Sequence, residues 1–159
     1  MTKEFQENKA IGFTDHSNLP KENEQAKSWQ NANKSWWEKN PMRYDFSEKF
    51  NIKEFSRDFY NEIDSRFFRQ VWEFMPWGKI PFDNLIDLEA IANQNVLEIG
   101  VGNGSHAKIL SKNAKNYTGI DITNYAVEST KKRLKLFGLN GVVKKMDAEN
   151  LEFEDNSFD

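Results

Sequence analysis

The sequence predicts an α/β fold with a parallel sheet in its second half, preceded by a helical region in its first half. After residue 94, short apolar runs alternate with amphipathic helices, an order typical of parallel sheets with right-handed crossovers. All five tryptophans lie in the first half, whereas six of the eight glycines follow residue 99. We therefore expect a disordered terminus over 1–27, a helical, aromatic-rich region over 28–80, and an α/β domain over 81–159.

The composition excludes several classes of protein. The 159 residues contain no cysteine, which excludes disulfides and thiolate metal sites, and the two histidines are too few for a histidine-rich metal centre. A net charge of −3 provides no basic field for nucleic acid or for an anionic membrane. The sequence also lacks a long apolar run and the apolar core of a signal peptide. We therefore predict a soluble, cytoplasmic protein without a bound metal.

The aromatic half is predicted to contain one long amphipathic helix. Its apolar residues recur every four positions, and Pro76 and Gly78 end the pattern. The apolar face consists of Phe55, Phe59, Ile63, Phe67, Val71 and Met75. Each such side chain contributes about 1.5–3 kcal/mol when fully buried, so the face should dock on the core or form the wall of a substrate pocket.

The second half is predicted to contain three strands with helices between them. The apolar runs that we assign to strands are Asn95–Gly100, Asn116–Asp121 and Val142–Met146. The first helix is expected over Ser105–Ala114. The second should begin at Thr123 or Asn124, bury Val127, Leu134 and Phe137, and end at Gly138.

A basic run lies within the second of these helices. It consists of Lys131, Lys132 and Arg133, followed by Lys135. We expect all four side chains to face solvent, where cations near the carboxyl end of a helix are stabilised by its dipole. We do not expect this run to bind nucleic acid.

A glycine-rich turn joins the first predicted strand to the helix that follows. It reads Glu98-Ile-Gly100-Val-Gly102-Asn-Gly104. Glycines in such a turn allow the backbone to approach a ligand closely and to adopt positive φ angles. A strand, a glycine-rich turn, a helix and a second strand that ends in an acid are together typical of nucleotide-binding sites.

Two aspartates follow the next two strands. Asp121 ends the second strand, where a carboxylate can accept hydrogen bonds from a ribose diol. Asp147 follows the third strand and could accept a hydrogen bond from an exocyclic amine at the same edge of the sheet. The spacing also permits a nicotinamide-binding turn, because Gly102, Gly104 and Ala107 fit the pattern G-x-G-x-x-A. Glu98 and Asp147 are not part of that alternative pattern.

Three stretches resemble successive motifs of the class I S-adenosylmethionine-dependent methyltransferases, most closely those of the small-molecule, type-11-like branch. The stretches are VLEIGVGNGSHAKIL, YTGID and MDAENLEFEDNSFD. The resemblance spans about residues 95–159. It implies a Rossmann-like sheet, S-adenosylmethionine as cofactor and a small-molecule methyl acceptor. The segment KSWWEKNPMRYDF is also similar to N-terminal extensions of some bacterial members.

The resemblance also implies roles for individual residues. The residues that would line the methionine and sulfonium end of the cofactor are Glu98, Gly100, Gly102 and Gly104. Those that would hold the adenosine are Asp121 at the ribose hydroxyls, Ile122 against the adenine ring, Asp147 at the adenine amine and Ala148 through its backbone.

The family fold resembles a seven-stranded sheet, and here Phe158 and Asp159 would begin the fourth strand. We therefore expect the chain to be the N-terminal portion of a longer enzyme, with the acceptor site and any catalytic base after Asp159. The alternatives are a catalytically silent module that binds S-adenosylmethionine or a partner and, less favoured, a nucleotide-dependent oxidoreductase. The oligomeric state is not predicted.

The aromatic residues Trp29, Trp36, Trp37 and Tyr44 precede the predicted cofactor domain. They could form a lid over the bound cofactor and substrate, or they could pack the N-terminal helices together. His106 follows the glycine-rich turn and is expected in the first turn of the next helix, where a functional role is a further hypothesis.

Overall fold

A computed structural model describes residues 23–45, 50–71 and 81–159 of the chain. The chain divides into two compact units, Met1–Ser35 and Trp36–Asp159. Helix α1 (Asn23–Lys39) spans the boundary between them and buries none of its side chains. Its first five residues were expected to be disordered. That expectation is wrong for 23–27, because Ala26 is the single apolar residue of this stretch and gives no periodicity that would reveal a helix. The rest of the predicted disordered terminus lies outside the described residues.

Helix α2 (Arg57–Val71) is the amphipathic helix of the aromatic region. It begins later than predicted, because the Ser56 hydroxyl accepts a hydrogen bond from the Phe59 amide at 3.2 Å and so caps the first turn. Phe55 therefore lies before the helix, with a φ angle of +61°. The predicted end of the helix, at Met75 to Gly78, lies outside the described residues.

The buried face of α2 docks on the α/β half of the chain, as its apolar pattern predicts. Phe59, Tyr60 and Ile63 are fully buried. They form a cluster with partly buried apolar side chains from the preceding loop and from two residues near position 137, namely Tyr44, Phe50, Ile52, Phe55, Leu136 and Phe137. Phe50 and Phe55 both meet the Phe59 ring edge to face. The helix is thus part of the folded core of this unit.

The second half forms a parallel sheet, which confirms the predicted fold class. Its elements are β1 (Asn95–Ile99), α3 (Ser105–Asn113), β2 (Asn116–Asp121), α4 (Asn124–Phe137) and β3 (Val142–Lys145). The strands are parallel in the order β1-β2-β3, and a short 3-10 helix over Ala90–Asn93 leads into β1. Strand β1 ends one residue earlier than predicted because Gly100 adopts a φ angle of +77°.

Helix α4 has the predicted ends. The Thr123 hydroxyl accepts a hydrogen bond from the Ala126 amide at 3.2 Å, and Gly138 ends the helix with a φ angle of +69°. One predicted feature of α4 is wrong. Lys131, Lys132 and Lys135 are exposed, but Arg133 is completely buried.

The main core lies between one face of the sheet and helices α3 and α4. Its buried members are Ile91, Val101, Ala107, Leu110, Tyr117, Ala126, Val127, Leu134 and Val143. On the opposite face, Ile99 and Val142 are each more than half exposed. Asp159 makes two hydrogen bonds to the backbone of Asn95, on the edge of β1 that faces away from β2. The family resemblance implies that Phe158 and Asp159 begin a fourth strand.

Candidate functional site

The predicted site residues come together at the carboxyl ends of the three strands. Because the strands are parallel, their carboxyl ends share one edge of the sheet, which is where open α/β sheets bind ligands. The glycine-rich loop follows β1, Asp121 is the last residue of β2, and Asp147 follows β3. The Met146 amide donates to the Asp121 carbonyl at 3.0 Å, which joins the second and third of these turns.

The three loop glycines adopt positive φ angles but have different surroundings. Gly100, Gly102 and Gly104 have φ angles of +77°, +52° and +76°. A Cβ atom at Gly100 or Gly102 would meet no atom within 4 Å, whereas one at Gly104 would lie 2.9 Å from the Thr130 hydroxyl. Two of the glycines therefore line open space, and the third allows the loop to pack on α4.

The Asp121 carboxylate organises the turns around it. Its Oδ2 accepts from the Gly102 amide at 3.1 Å, and its Oδ1 accepts from the amide and the hydroxyl of Thr123 at 2.9 and 2.8 Å. A carboxylate has about four acceptor positions, so Oδ2 keeps one for a ligand. The sequence did not reveal the bond to Gly102, because these residues are 19 positions apart.

Glu98 is a buried acid below the glycine-rich loop. The Tyr117 hydroxyl donates to its Oε2 at 2.6 Å. Burial raises the pKa of Glu98 to about 7, and this hydrogen bond offsets only part of that effect. Tyr117 reaches Glu98 across Gly119, where a Cβ atom would come within 2.5 Å of the Tyr117 hydroxyl. The site therefore contains a carboxyl group that changes its charge near neutral pH.

The remaining predicted adenosine-binding residues lie in the turns after β2 and β3. Asp147 is half-buried, and its Oδ1 accepts from the Glu149 amide at 2.9 Å. Its Oδ2 makes no hydrogen bond to any described residue. Ile122 is half-buried and Ala148 is exposed. These positions leave a carboxylate oxygen, an apolar side chain and a backbone segment available at the same edge.

The end of α1 and the segment that follows it contact this edge at two points that the sequence did not reveal. The Glu38 carboxylate accepts from the amides of Asn124 and Tyr125 at 2.8 and 3.0 Å, where the α4 dipole favours an anion. The Met42 carbonyl accepts from the Asn103 side-chain amide at 2.7 Å. Residues 38–42 thus connect the start of α4 with the glycine-rich loop.

The residues proposed as a lid differ in their surroundings. Trp36 and Trp37 are 60% and 39% exposed, and they directly precede Glu38. Tyr44 packs on Phe67 of α2, with ring centroids 5.0 Å apart. Trp29 belongs to the other compact unit. Tyr44 is therefore part of the packed aromatic region, and the lid remains a prediction for Trp36 and Trp37.

His106 lies in the first turn of α3, as predicted, with its Nδ1 at 3.8 Å from Glu98 Oε1. Its ring packs against Phe67 and Phe82 at centroid distances of 5.1 and 4.4 Å. Burial lowers the pKa of His106, so we expect a neutral imidazole at neutral pH. Within the described ranges, no group of three histidine, aspartate or glutamate side chains is placed to hold a metal ion.

The comparison with known proteins matches the same part of the chain. Residues 96–159 match a family model described as a methyltransferase domain. The phthiotriol/phenolphthiotriol dimycocerosates methyltransferase of Mycobacterium tuberculosis is 39% identical over 71 residues, which are 43% of this chain and 26% of that protein. The phthiotriol/phenolphthiotriol dimycocerosates methyltransferase 1 of Mycobacterium ulcerans is 38% identical over 71 residues, again 43% of this chain and 26% of that protein. The chain thus spans about a quarter of the length of these curated relatives.

Solved structures also resemble part of the chain. The YcgJ protein of Bacillus subtilis is 30% identical, with a TM-score of 0.43 over 46% of this chain and 33% of that chain. A dimethyladenosine transferase from Plasmodium falciparum is 33% identical, with a TM-score of 0.43 over 48% of this chain and 30% of that chain.

The matched region holds all eight residues that the resemblance assigned to cofactor binding, and they lie at the ends of three parallel strands or in the turns that follow them. No helix within the described ranges has both the length and the apolar character needed to cross a membrane. The part of the chain from residue 96 onward is therefore similar to methyltransferase domains.

Proposed function

We propose that this protein binds S-adenosylmethionine at the carboxyl edge of its sheet and transfers the methyl group to a small-molecule acceptor. The observation that carries the proposal is the open space beside Gly100 and Gly102, next to the Asp121 carboxylate. Backbone without side chains can approach the cofactor closely there, and a carboxylate lies within reach of a ribose diol. The methyltransferase-domain match supports the same activity.

Asp121 has two tasks under this proposal. Its bond to the Gly102 amide shapes the loop, and the remaining acceptor position on Oδ2 takes a ribose hydroxyl. A hydrogen bond to a charged group contributes about 1.5–3 kcal/mol, so loss of Asp121 should weaken cofactor binding at least about tenfold.

Glu98 and Asp147 complete the proposed site. The bound cofactor supplies a methyl group that its positively charged sulfonium has already activated. An ionised Glu98 favours this cation over the uncharged thioether of the product, S-adenosylhomocysteine. The Oδ2 atom of Asp147 accepts a hydrogen bond from the adenine amine, while Ile122 and the Ala148 backbone contact the adenine ring. The protein accelerates transfer by holding donor and acceptor in line, which can lower a barrier by about 7–11 kcal/mol.

The acceptor is proposed to be a small molecule and not a nucleic acid. The curated relatives are named as methyltransferases of phthiotriol and phenolphthiotriol dimycocerosates. The net charge of −3 gives no general attraction to phosphate backbones. We also propose that the protein acts in the cytoplasm, which is the location that the sequence predicts.

Calorimetric titration of the full-length gene product tests cofactor binding. We expect saturable binding of S-adenosylmethionine and S-adenosylhomocysteine, no binding of NAD, and at least tenfold weaker binding in Asp121→Ala. The matched control is Asp155→Ala, which removes an exposed carboxylate from the loop after β3. Equal affinities in the Asp121 variant and the wild type would refute the site. Saturable NAD binding instead would favour the oxidoreductase.

A second experiment separates an enzyme from a silent binding module. The protein is incubated with S-adenosylmethionine and a deproteinised, nuclease-treated small-molecule extract of its own cells. We expect S-adenosylhomocysteine to form with the extract and not without it. Cofactor binding without any turnover in this extract would favour the silent module over the proposed enzyme.

A further inference from the structure

Arg133 is a charged side chain in the interior of the protein. It lies on α4 and is completely buried, although its neighbours Lys131 and Lys132 are exposed. The guanidinium lies over the ring of Tyr60, 5.0 Å from its centroid. A buried cation is costly unless it is paired and hydrogen-bonded, so the contacts of this group explain its position.

The charge of Arg133 is paired with an acid from a distant part of the chain. Asp64, on α2, forms an ion pair with the Arg133 guanidinium, and Lys108 of α3 lies 3.3 Å from the other Asp64 oxygen. Asp64 therefore lies between cations from α3 and α4. Through this acid, the helix that precedes the α/β domain balances charges below the glycine-rich loop.

The same guanidinium holds the glycine-rich loop. Arg133 Nη1 donates to the Asn103 carbonyl at 2.9 Å and contacts the Ser105 hydroxyl at 3.3 Å. The arginine stem also lies against Gly104, where a Cβ atom would come within 3.2 Å of Arg133 Cδ. The loop thus rests on the arginine at three consecutive residues.

Asn103 extends this support to both sides of the loop. Its side-chain oxygen accepts from the Ser129 hydroxyl at 2.7 Å, and its side-chain amide donates to the Met42 carbonyl at 2.7 Å. Tyr60 of α2 in turn donates to the Ser129 carbonyl at 2.7 Å. Every hydrogen bond of this network is made by a buried or half-buried side chain.

We propose that Asp64 and Arg133 are positioning residues for cofactor binding: Asp64 holds the buried guanidinium in place, and the guanidinium fixes the glycine-rich loop through the Asn103 carbonyl. The inference rests on the proposed function, since it concerns the affinity of that same site. It assigns part of the cofactor site to helix α2, outside the region that matches the methyltransferase domain. Neither residue contacts the cofactor itself.

The test compares charge removal at the pair with charge removal at exposed positions on the same helices. Asp64→Asn and Arg133→Met remove the two charges, and the controls Asp58→Asn and Lys131→Met change exposed residues of α2 and α4. Two quantities are measured at a temperature at which each variant is folded. They are the Kd for S-adenosylhomocysteine and the hydrogen exchange of a peptide covering residues 100–105.

We expect the Kd to rise at least tenfold and the loop amides to exchange at least tenfold faster in both single variants, with no change in the controls. The double variant Asp64→Asn, Arg133→Met separates positioning from stability. Removing both charges should restore much of the stability. The Kd should nevertheless remain weak, because the Asn103 carbonyl has lost its donor.

A double variant that regains both stability and the wild-type Kd would overturn the proposal, as would folded single variants with the wild-type Kd. If a single variant does not fold, Arg133→Lys takes its place. Lysine keeps the charge but lacks the planar fork that serves Asp64 and Asn103 together, so we expect a weaker Kd at near-native stability. If the wild type itself binds no S-adenosylhomocysteine, the proposed function fails, while loop exchange still tests whether the pair fixes the loop.

Discussion

Replacing Glu98 by glutamine should stabilise this protein, and the gain should depend on pH. Folding raises the pKa of Glu98 from an ordinary value of 4.5 to about 7 through burial. The folded protein therefore holds a proton that the unfolded chain releases between these two pH values. Stability contributed by this proton is fully present below pH 4.5 and is lost as the pH rises to about 7.

The size of the effect follows from the two pKa values. A shift of one pKa unit corresponds to about 1.4 kcal/mol, so ionising the buried carboxyl costs the wild type about 3 kcal/mol at pH 8. Glu98→Gln removes this cost, because the amide is neutral at every pH and its oxygen can accept a hydrogen bond from the Tyr117 hydroxyl. The expected gain in the free energy of unfolding grows from about 1 kcal/mol at pH 5 to about 3 kcal/mol at pH 8.

Urea denaturation at pH 5, 6, 7 and 8 measures this difference. Glu149→Gln serves as the control, since Glu149 is exposed. A gain that stays constant with pH, or a glutamine variant less stable than the wild type at pH 8, would refute the reasoning. In that case the carboxyl would be ionised in the folded protein at acidic pH.

The same substitution separates the two forms of the cofactor under the proposed function. S-adenosylmethionine carries a sulfonium charge that S-adenosylhomocysteine lacks, so only the former gains from ionised Glu98. The ratio of the two affinities should therefore shift towards S-adenosylmethionine between pH 6 and 8 in the wild type. In Glu98→Gln the ratio should not depend on pH.

Three further substitutions test the loop and its surroundings. In calorimetric titration, Gly102→Ala should lower the affinity for S-adenosylhomocysteine at least tenfold. Gly138→Ala imposes a similar φ strain of about 1–2 kcal/mol at a position away from the site, so it should leave this affinity unchanged. Gly104→Ala should cost more stability in urea than either, because its Cβ also meets the Thr130 side chain. Glu38→Ala should lower the free energy of unfolding by about 1 kcal/mol, and salt should reduce the difference, since the carboxylate caps α4. An effect of Glu38→Ala that is insensitive to salt would contradict the capping role.

The α/β half could be predicted from the sequence because its signals are local. Gly100, Gly102 and Gly104 mark the turn, Asp121 marks the end of a strand, and Thr123 marks the start of a helix within a few residues of the elements they bound. The comparisons show a likeness to methyltransferase domains over residues 96–159 but do not test the roles of these residues. Those roles remain predictions for the binding experiments.

What the sequence did not reveal depends on contacts between distant residues. Arg133 looks like part of a solvated basic run, and only the fold shows that Asp64, 69 positions earlier, meets it in the interior. Glu38 lies in a polar helix and gives no sign that it caps α4, 86 positions later. Local periodicity cannot report such pairs, because nothing near either residue in the chain distinguishes it from an exposed charge.

The contact of Tyr117 with Glu98 has a consequence for sequence variation among relatives. The Tyr117 ring can reach the carboxyl group only because Gly119 leaves its path open. A relative with a larger residue at position 119 should therefore lack tyrosine at 117. Its acid at position 98 would then need another donor or a different degree of burial. We expect these three positions to change together among relatives, so that the pKa of the acid at position 98 depends on residues from two neighbouring strands.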